Sequence, residues 1–272
     1  MPRTTLALTS FVSGEFSPKM DGRTDFEKYS SGAKTLENFL VHPQGAATRR
    51  VGTQFIAEVK SSAAKTRLIP FEFSTTQTYI LEFGNTYIRF FKDKGQILSG
   101  GSAYEISSPY LTAELFDIKF AQSADVMYIT HPNHEVMKLS RTGHTSWTLA
   151  EVAFTDGPYL ATNSTTTTLT PQQAATGTGK TITASAVTGI NGGAGFQTTD
   201  VGRIISFNSG KAKITARSST TVVACTITTA FTNTNATAAF NLGAFSDTTG
   251  HPSCVSFFEQ RLVFAGTTDE PQ

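Results

Sequence analysis

Cysteine, tryptophan and charged residues are all scarce in this chain, and each shortage narrows what the protein can be. Its 272 residues include two cysteines and one tryptophan, and charged residues make up 16%. Cys225 and Cys254 lack a Cys-x-x-Cys spacing, so they form neither a disulfide framework nor a zinc-finger ligand set. We expect a pair of buried thiols in a protein made in a reducing cytoplasm. The net charge of +1 excludes the basic surplus typical of proteins that hold nucleic acid or anionic membranes.

Long hydrophobic runs are also missing. The first ten residues lack the apolar core of a signal peptide, and no segment approaches the length of a membrane span. We therefore expect no membrane-spanning segment and synthesis in a cytoplasm. Phenylalanine, by contrast, occurs 21 times, which supplies enough apolar surface for a folded core and argues against global disorder.

Motifs for catalysis are weak. The segment Ala174–Thr181 (Ala-Ala-Thr-Gly-Thr-Gly-Lys-Thr) satisfies a relaxed P-loop pattern. A P-loop needs a buried strand before it and a helix after it, whereas Leu169–Gln173 is not an apolar strand and the residues after Thr181 are β-like. A Gly/Thr hairpin loop is the favoured interpretation. Carboxylates such as Asp125 and Glu135 are scattered, so no glycosidase pair is placed, although such pairs are assembled in three dimensions. We expect no enzyme and no cofactor.

Five histidines raise the question of a metal site, but only two of them are close in sequence. His131 and His134 form the segment His-Pro-Asn-His in a turn between strands. A turn of this kind is a poor place for a rigid ligand pair, and the sequence places no further ligand beside it. No metal is therefore expected.

From Thr53 onward, apolar and polar residues alternate with a period of two, which predicts antiparallel strands. The meander is expected to turn at Gly84-Asn85, and residues 111–120 are expected to form a short helix or a turn. Strands at a spacing of about ten residues are typical of a propeller blade or a sandwich sheet. The predicted strands span residues 53–60, 66–73, 78–83, 87–92, 125–130, 135–140 and 147–152.

The composition changes near Gly157-Pro158. Residues 158–250 contain 24 threonines and only 7 charged residues, while apolar residues still recur in a strand-like pattern. This segment is predicted to be a small inserted β-barrel or sandwich domain.

The whole chain is therefore predicted to be mainly β, with a partial β-propeller or antiparallel sheets and the Thr-rich insert. Residues 1–52 are expected to form an irregular arm with a short helix over 25–39, and residues 53–157 the propeller-like sheets. Residues 251–272 would return to the propeller-like fold, which we expect to be incomplete here and to continue in a longer protein.

The N-terminal segment carries the most specific pattern. It combines Phe11-Val-Ser-Gly-Glu-Phe-Ser-Pro18, Asp21-Gly-Arg-Thr-Asp25, Asn38-Phe-Leu-Val-His-Pro-Gln-Gly45 and Arg49-Arg-Val-Gly-Thr53. This pattern resembles the opening of the tail-tube or nozzle proteins (tail tubular protein B-like) of short-tailed, podovirus-type bacteriophages. Later segments, 67–90, 196–203 and 242–252, resemble the same family.

The resemblance implies a structural virion protein in the phage tail, assembled in the host cytoplasm. Its copies would form a homo-oligomeric ring, a hexamer, below the portal and adaptor (head–tail connector) proteins, contact tail fibre proteins and let DNA pass. The residues expected at an assembly interface are Phe11, Arg23, Asp25, Arg49 and Arg50. For the paired arginines, a solvated turn is an equally weighted interpretation.

A binding module for a host glycan or receptor is the alternative function. The Thr-rich segment contains aromatic residues that could stack on sugars, namely Phe196, Phe207, Phe231 and Phe245. Tryptophan and tyrosine are more usual in glycan sites, and the only tryptophan, Trp147, lies outside this segment, so we rank this function second.

Overall fold

The fold is mainly β and antiparallel, in a computed structural model that describes residues 7–269. The chain divides into two compact units, Met1–Phe55 and Ile56–Gln272. Within the described residues the helical segments are all short 3-10 turns, and no helix has the length and hydropathy needed to cross a membrane.

The first unit, which we call the arm, consists of short pairs of strands. β1 pairs with β2 in parallel, and β3 pairs with β4 in antiparallel orientation. Two 3-10 turns, Pro18–Met20 and Glu27–Ser31, lie between the first two strands. The strands are β1 (Gly14–Glu15), β2 (Gly32–Ala33), β3 (Phe39–Val41) and β4 (Ala47–Arg49).

The helix predicted over residues 25–39 is wrong beyond its first turn. The 3-10 turn ends at Gly32, which takes an extended conformation (φ −115°, ψ 172°) and pairs with Gly14. A Cβ atom at Gly32 would lie 2.1 Å from the ring of Phe16, so glycine is needed where this ring packs. The spacing of apolar residues indicated a helix, but an amphipathic helix is stable only against a core, and the arm offers none.

The second unit begins with a five-stranded sheet in the order β11-β7-β6-β5, with β8 paired to β7. In β5 the residues alternate, so that Ile69 and Phe71 are buried while Leu68 and Pro70 are exposed, as a half-buried strand requires. β9 and β10 form a separate hairpin. The strands are β5 (Arg67–Glu72), β6 (Thr78–Gly84), β7 (Tyr87–Lys92), β8 (Gly95–Gln96), β9 (Leu98–Ser99), β10 (Ser102–Ala103) and β11 (Glu105–Ser107).

The strand predicted over residues 53–60 is wrong: this segment is irregular. β5 forms one edge of the sheet that follows this segment. Pro70 lies within β5, and a proline makes a strand edge a poor template for further pairing because it has no N–H to donate.

A four-stranded antiparallel meander follows in the order β12-β13-β14-β15. It shares one hydrophobic core with the preceding sheet. Trp147 lies at the centre of this core, with ring centroids 4.8 Å from Phe71, 5.3 Å from Tyr79 and 4.4 Å from Phe90. Residues 111–117 form turns, with no helix. The strands are β12 (Lys119–Ser123), β13 (Val126–His131), β14 (His134–Gly143) and β15 (Ser146–Glu151).

The Thr-rich segment forms a six-stranded antiparallel sheet with its own hydrophobic core. Backbone hydrogen bonds of 2.9 and 3.1 Å join Leu169 in the first edge strand to Thr237, just before the other edge strand. The sheet therefore curls so that one face becomes the core. Its strands, in the order β16-β17-β20-β19-β18-β21, are β16 (Leu169–Pro171), β17 (Gly177–Ala184), β18 (Ile204–Phe207), β19 (Gly210–Arg217), β20 (Val222–Thr229) and β21 (Phe240–Leu242).

A buried ion pair anchors the loop before β18. The 3-10 turns Asn191–Gly193 and Thr198–Asp200 precede it. Arg203, which is 1% exposed, lies 2.9 Å from Asp200 and donates to the carbonyl of Gly243 at 2.6 Å. Asp200 in turn accepts from the backbone N–H of Gln197. Buried charges persist when they are paired and hydrogen-bonded in this way, so the pair fixes the loop.

The chain then forms a last hairpin of β22 (Cys254–Phe258) and β23 (Arg261–Ala265). Phe258 is 66% exposed at its tip.

Candidate functional site

The arm carries the residues that the sequence predicted at an assembly interface, and the structure does not bring them into one cluster. Arg23 forms a bidentate pair with Asp25, with both N···O distances 2.7 Å. This contact raises the pKa of Arg23 and lowers that of Asp25. Both side chains are more than half exposed, so the pair contributes little to stability by itself.

The other predicted residues lie in separate local contacts. Phe11 is half-buried, and its backbone N–H donates to Gly45. Arg50 donates from Nε to the side chain of Asn38 at 2.6 Å. Arg49 is exposed on β4, and its guanidinium has no hydrogen-bond or ion-pair partner within the described part of the chain. Of the two arginines, Arg49 is therefore the one free to meet a partner.

The most informative property of the arm is its lack of a core. Among residues 7–55 only Gly45 is buried. Local polar contacts hold the arm in shape, for example a 2.7 Å hydrogen bond between the hydroxyls of Ser13 and Ser31. Phe16 and Tyr29 are half-buried and stack on each other. Seven other large apolar side chains face solvent, with exposures of 41–83%: Leu8, Val12, Phe26, Phe39, Leu40, Val51 and Phe55. The arm therefore has no hydrophobic core of its own among its described residues.

Only residues 177–181 of the P-loop-like segment lie in a strand; the expectation of no strand before it is wrong, because Leu169–Pro171 forms the short strand β16. Gly177–Ala184 is β17, and Lys180 pairs with Cys225 of β20. Gly179 has φ +63° and lies at a register shift of the ladder. No helix follows, so the backbone N–H groups do not converge on a phosphate as a P-loop requires.

The structure pairs one carboxylate that the sequence left isolated. Burial, and then the adjacent carboxylate of Glu151, raise the pKa of Glu135 to about 7. The pair lines a cleft of about 170 Å³, together with Lys213 and Phe245.

The aromatic residues proposed for glycan binding are mostly inside the Thr-rich domain. Phe196, Phe207 and Phe231 are 1–4% exposed and belong to its core. Phe245 is half-buried and packs on Phe154, with ring centroids 5.5 Å apart. Three of the four rings are therefore unavailable for stacking on a sugar.

Two histidines and a glutamate meet near the β13–β14 turn. One ring nitrogen each of His131 and His134 and a carboxylate oxygen of Glu114 lie within 4.8 Å of one another. The sequence drew attention to the histidines but not to Glu114, because it lies in the turn before β12 and no local motif connects it to them. The only sequence indication was the short His-Pro-Asn-His spacing.

Comparison with known proteins adds no family assignment. The sequence matches no model of a known protein family, and no curated protein is significantly similar to it.

Proposed function

We propose that this protein is a structural component of a short phage tail, a tail-tube or nozzle protein. Copies of the chain would form a hexameric ring below the portal–adaptor complex, hold tail fibres and let DNA pass. The observation that carries this proposal is the arm, Met1–Phe55, which exposes large apolar side chains and buries none among its described residues.

The arm needs a partner on energetic grounds. Fully burying one Val, Leu or Phe side chain contributes about 1.5–3 kcal/mol, and here Val51 and Phe55 leave 83% and 77% of their surface in water. A neighbouring subunit that covers several such side chains would stabilise both the arm and the assembly. A closed ring supplies each copy with the same neighbour.

The body of the protein is compatible with this role. The β12–β15 meander has the four antiparallel strands of one propeller blade. It packs through a shared core against the preceding sheet. The resemblance of the sequence to tail-tube proteins supplies the specific assignment, and the exposed guanidinium of Arg49 offers a contact to an acidic surface of a neighbour.

The proposal is tested first by mass spectrometry of purified phage particles from cells that produce this chain. We expect to detect peptides of this chain in the particles, at a level that corresponds to several copies of the chain per particle. Their absence would overturn the structural role.

A substitution then tests the arm. Val51→Asp should leave the free energy of unfolding within about 0.5 kcal/mol of the wild type, because the position is exposed, yet reduce incorporation into particles. Leu98→Asp is the matched control, since Leu98 is 55% exposed on the hairpin β9–β10 outside the arm. Equal incorporation of both variants and the wild type would show that the arm is not the assembly surface.

A further inference from the structure

A cluster of metal-binding side chains lies where the β13–β14 turn meets the loop before β12. It contains Glu114, His131 and His134, whose ligand atoms lie within 4.8 Å of one another. His134 Nε2 is 2.8 Å from Glu114 Oε2. Two imidazoles and a carboxylate are a common protein ligand set for zinc, which leaves a fourth position for water.

Two separate parts of the fold position these side chains: the turn that carries Glu114, and the ends of β13 and β14 that carry the histidines. Glu114 Oε2 also accepts from the backbone N–H of Leu111 at 2.8 Å. The guanidinium of Arg67, in β5, donates to the carbonyls of Leu115 and Ile118 at 2.8 and 2.7 Å. The turn that carries Glu114 is therefore fixed to the first sheet, while the histidines are fixed at the ends of β13 and β14.

One ring nitrogen of the cluster is buried and unpartnered in the part of the chain that the structure describes. His131 is 1% exposed, and its Nε2 has no hydrogen-bond partner within the described residues.

We propose that Glu114, His131 and His134 bind a divalent transition-metal ion, with Zn²⁺ as the preferred ion. Zinc ligands 2.0–2.2 Å from the ion are about 3.4 Å from one another in a tetrahedron. The side chains therefore need to shift by about an ångström. The ion would join the loop before β12 to the β13–β14 turn. This assignment departs from the expectation of no metal and is independent of the tail proposal.

Metal binding competes with one hydrogen bond. His131 Nδ1 accepts from the backbone N–H of Asn133 at 3.1 Å, which leaves the ring hydrogen on Nε2. If Nδ1 binds the metal, it can no longer accept this hydrogen bond. If Nε2 binds the metal, the ring hydrogen moves to Nδ1, which then faces the Asn133 N–H and cannot accept from it. Either way the Asn133 amide loses its acceptor, so its NMR resonance reports binding at this site.

The test uses the full chain after removal of metal with a chelator. Calorimetric titration with Zn²⁺ should give one site per chain, and Co²⁺ should give the visible absorption of a four-coordinate complex. Glu114→Gln, which keeps an acceptor for Leu111, and His134→Ala should each weaken Zn²⁺ binding by about a hundredfold or more, beyond the 10–100-fold typical of an outer-shell change. Both variants should keep the wild-type fluorescence of Trp147, which shows that they fold.

His42→Ala is the matched control, because His42 lies in the arm and only bonds to Thr48. It should bind Zn²⁺ as the wild type does and leave the Asn133 shift unchanged. The proposal is overturned if the wild type binds no Zn²⁺, if Glu114→Gln and His134→Ala bind as tightly as the wild type, or if His42→Ala loses as much affinity as they do.

Discussion

The paired glutamates in the cleft beside the Thr-rich domain make the stability of this protein depend on pH, and one substitution isolates the effect. Glu135 lies in β14 and Glu151 at the end of β15. Burial, followed by the hydrogen bond and charge of Glu151, raises the pKa of Glu135 from 4.5 to about 7. Below that pH, Glu135 is protonated in the folded chain.

Other groups facing Glu135 modify the shift but do not cancel it. Lys213 in β19 lowers the pKa of Glu135, and Asp247 raises it. Asp247 is itself paired with His251 at 2.9 Å. The turn at Gly202 packs closely on the carboxylate: a Cβ atom there would lie 3.2 Å from Glu135 Oε1, which limits the access of water.

The sign follows from proton linkage. Between pH 4.5 and about 7 the folded chain holds a proton on Glu135 that the unfolded chain releases, so stability falls as the pH rises through this window. A pKa that rises from 4.5 to about 7 corresponds to about 3 kcal/mol. This is an upper value, because the half-buried cleft admits some screening by solvent.

We therefore expect Glu135→Gln to be more stable than the wild type at pH 8, by up to about 3 kcal/mol. The amide keeps a donor for Glu151 without adding a second charge. At pH 4.5 the two proteins should have nearly the same stability. Urea unfolding at both values, followed by the fluorescence of Trp147 in the same strand as Glu151, measures the difference.

The control is Glu58→Gln, because Glu58 is exposed and outside the cleft. Its stability should follow the wild type at both pH values. The reasoning is refuted if Glu135→Gln differs from the wild type by the same amount at pH 4.5 and pH 8, since the effect would then owe nothing to a titrating proton.

Two further predictions concern buried groups. Asp200→Asn should lower the free energy of unfolding by about 3–5 kcal/mol, because it leaves the charge of Arg203 buried and unpaired. Asp156→Asn is the control, and because its ion pair is exposed it should cost no more than about 1 kcal/mol. Equal urea midpoints for the two variants would contradict this prediction. For the thiols, burial raises the pKa of Cys225 to about 11, whereas Cys254 is exposed. A thiol reagent at pH 8 should label one cysteine in the native chain and both in urea, and equal labelling rates under native conditions would argue against the burial of Cys225.

The sequence predicted strands best where the order of apolar and polar residues within one strand is enough to identify it. In β5, β6 and β7, apolar residues alternate with exposed ones or form short apolar runs, and the predicted boundaries differ from the observed ones by one residue or none. β12 was missed, because Lys119–Ser123 has intermediate burial and few β-branched residues. Residues 53–60 show the opposite error: their alternation is strand-like, but they pair with no strand in the described part of the chain.

The candidate metal site shows why local patterns are insufficient for sites. His131 and His134 are three residues apart and were found at once, but Glu114 is brought to them by the turn of residues 111–117, which Arg67 holds from another sheet. No spacing rule connects residue 114 to residue 134, since the contact depends on how two sheets pack.

The same limit applies to Asp200 and Arg203, although they are only three residues apart. Their spacing resembles that of any exposed ion pair, and the sequence of this Thr-rich segment gives no sign that both side chains are buried. Both side chains are buried because the loop before β18 packs against residues 191 and 243. There Arg203 donates hydrogen bonds to the side-chain oxygen of Asn191 and the carbonyl of Gly243. Arg203 thereby satisfies most of its donors inside the protein, and the loop is fixed by hydrogen bonds that no local pattern encodes. The arm differs in kind: the apolar character of its residues is visible in the sequence, but the structure leaves seven of its large apolar side chains 41–83% exposed, which no local pattern indicates.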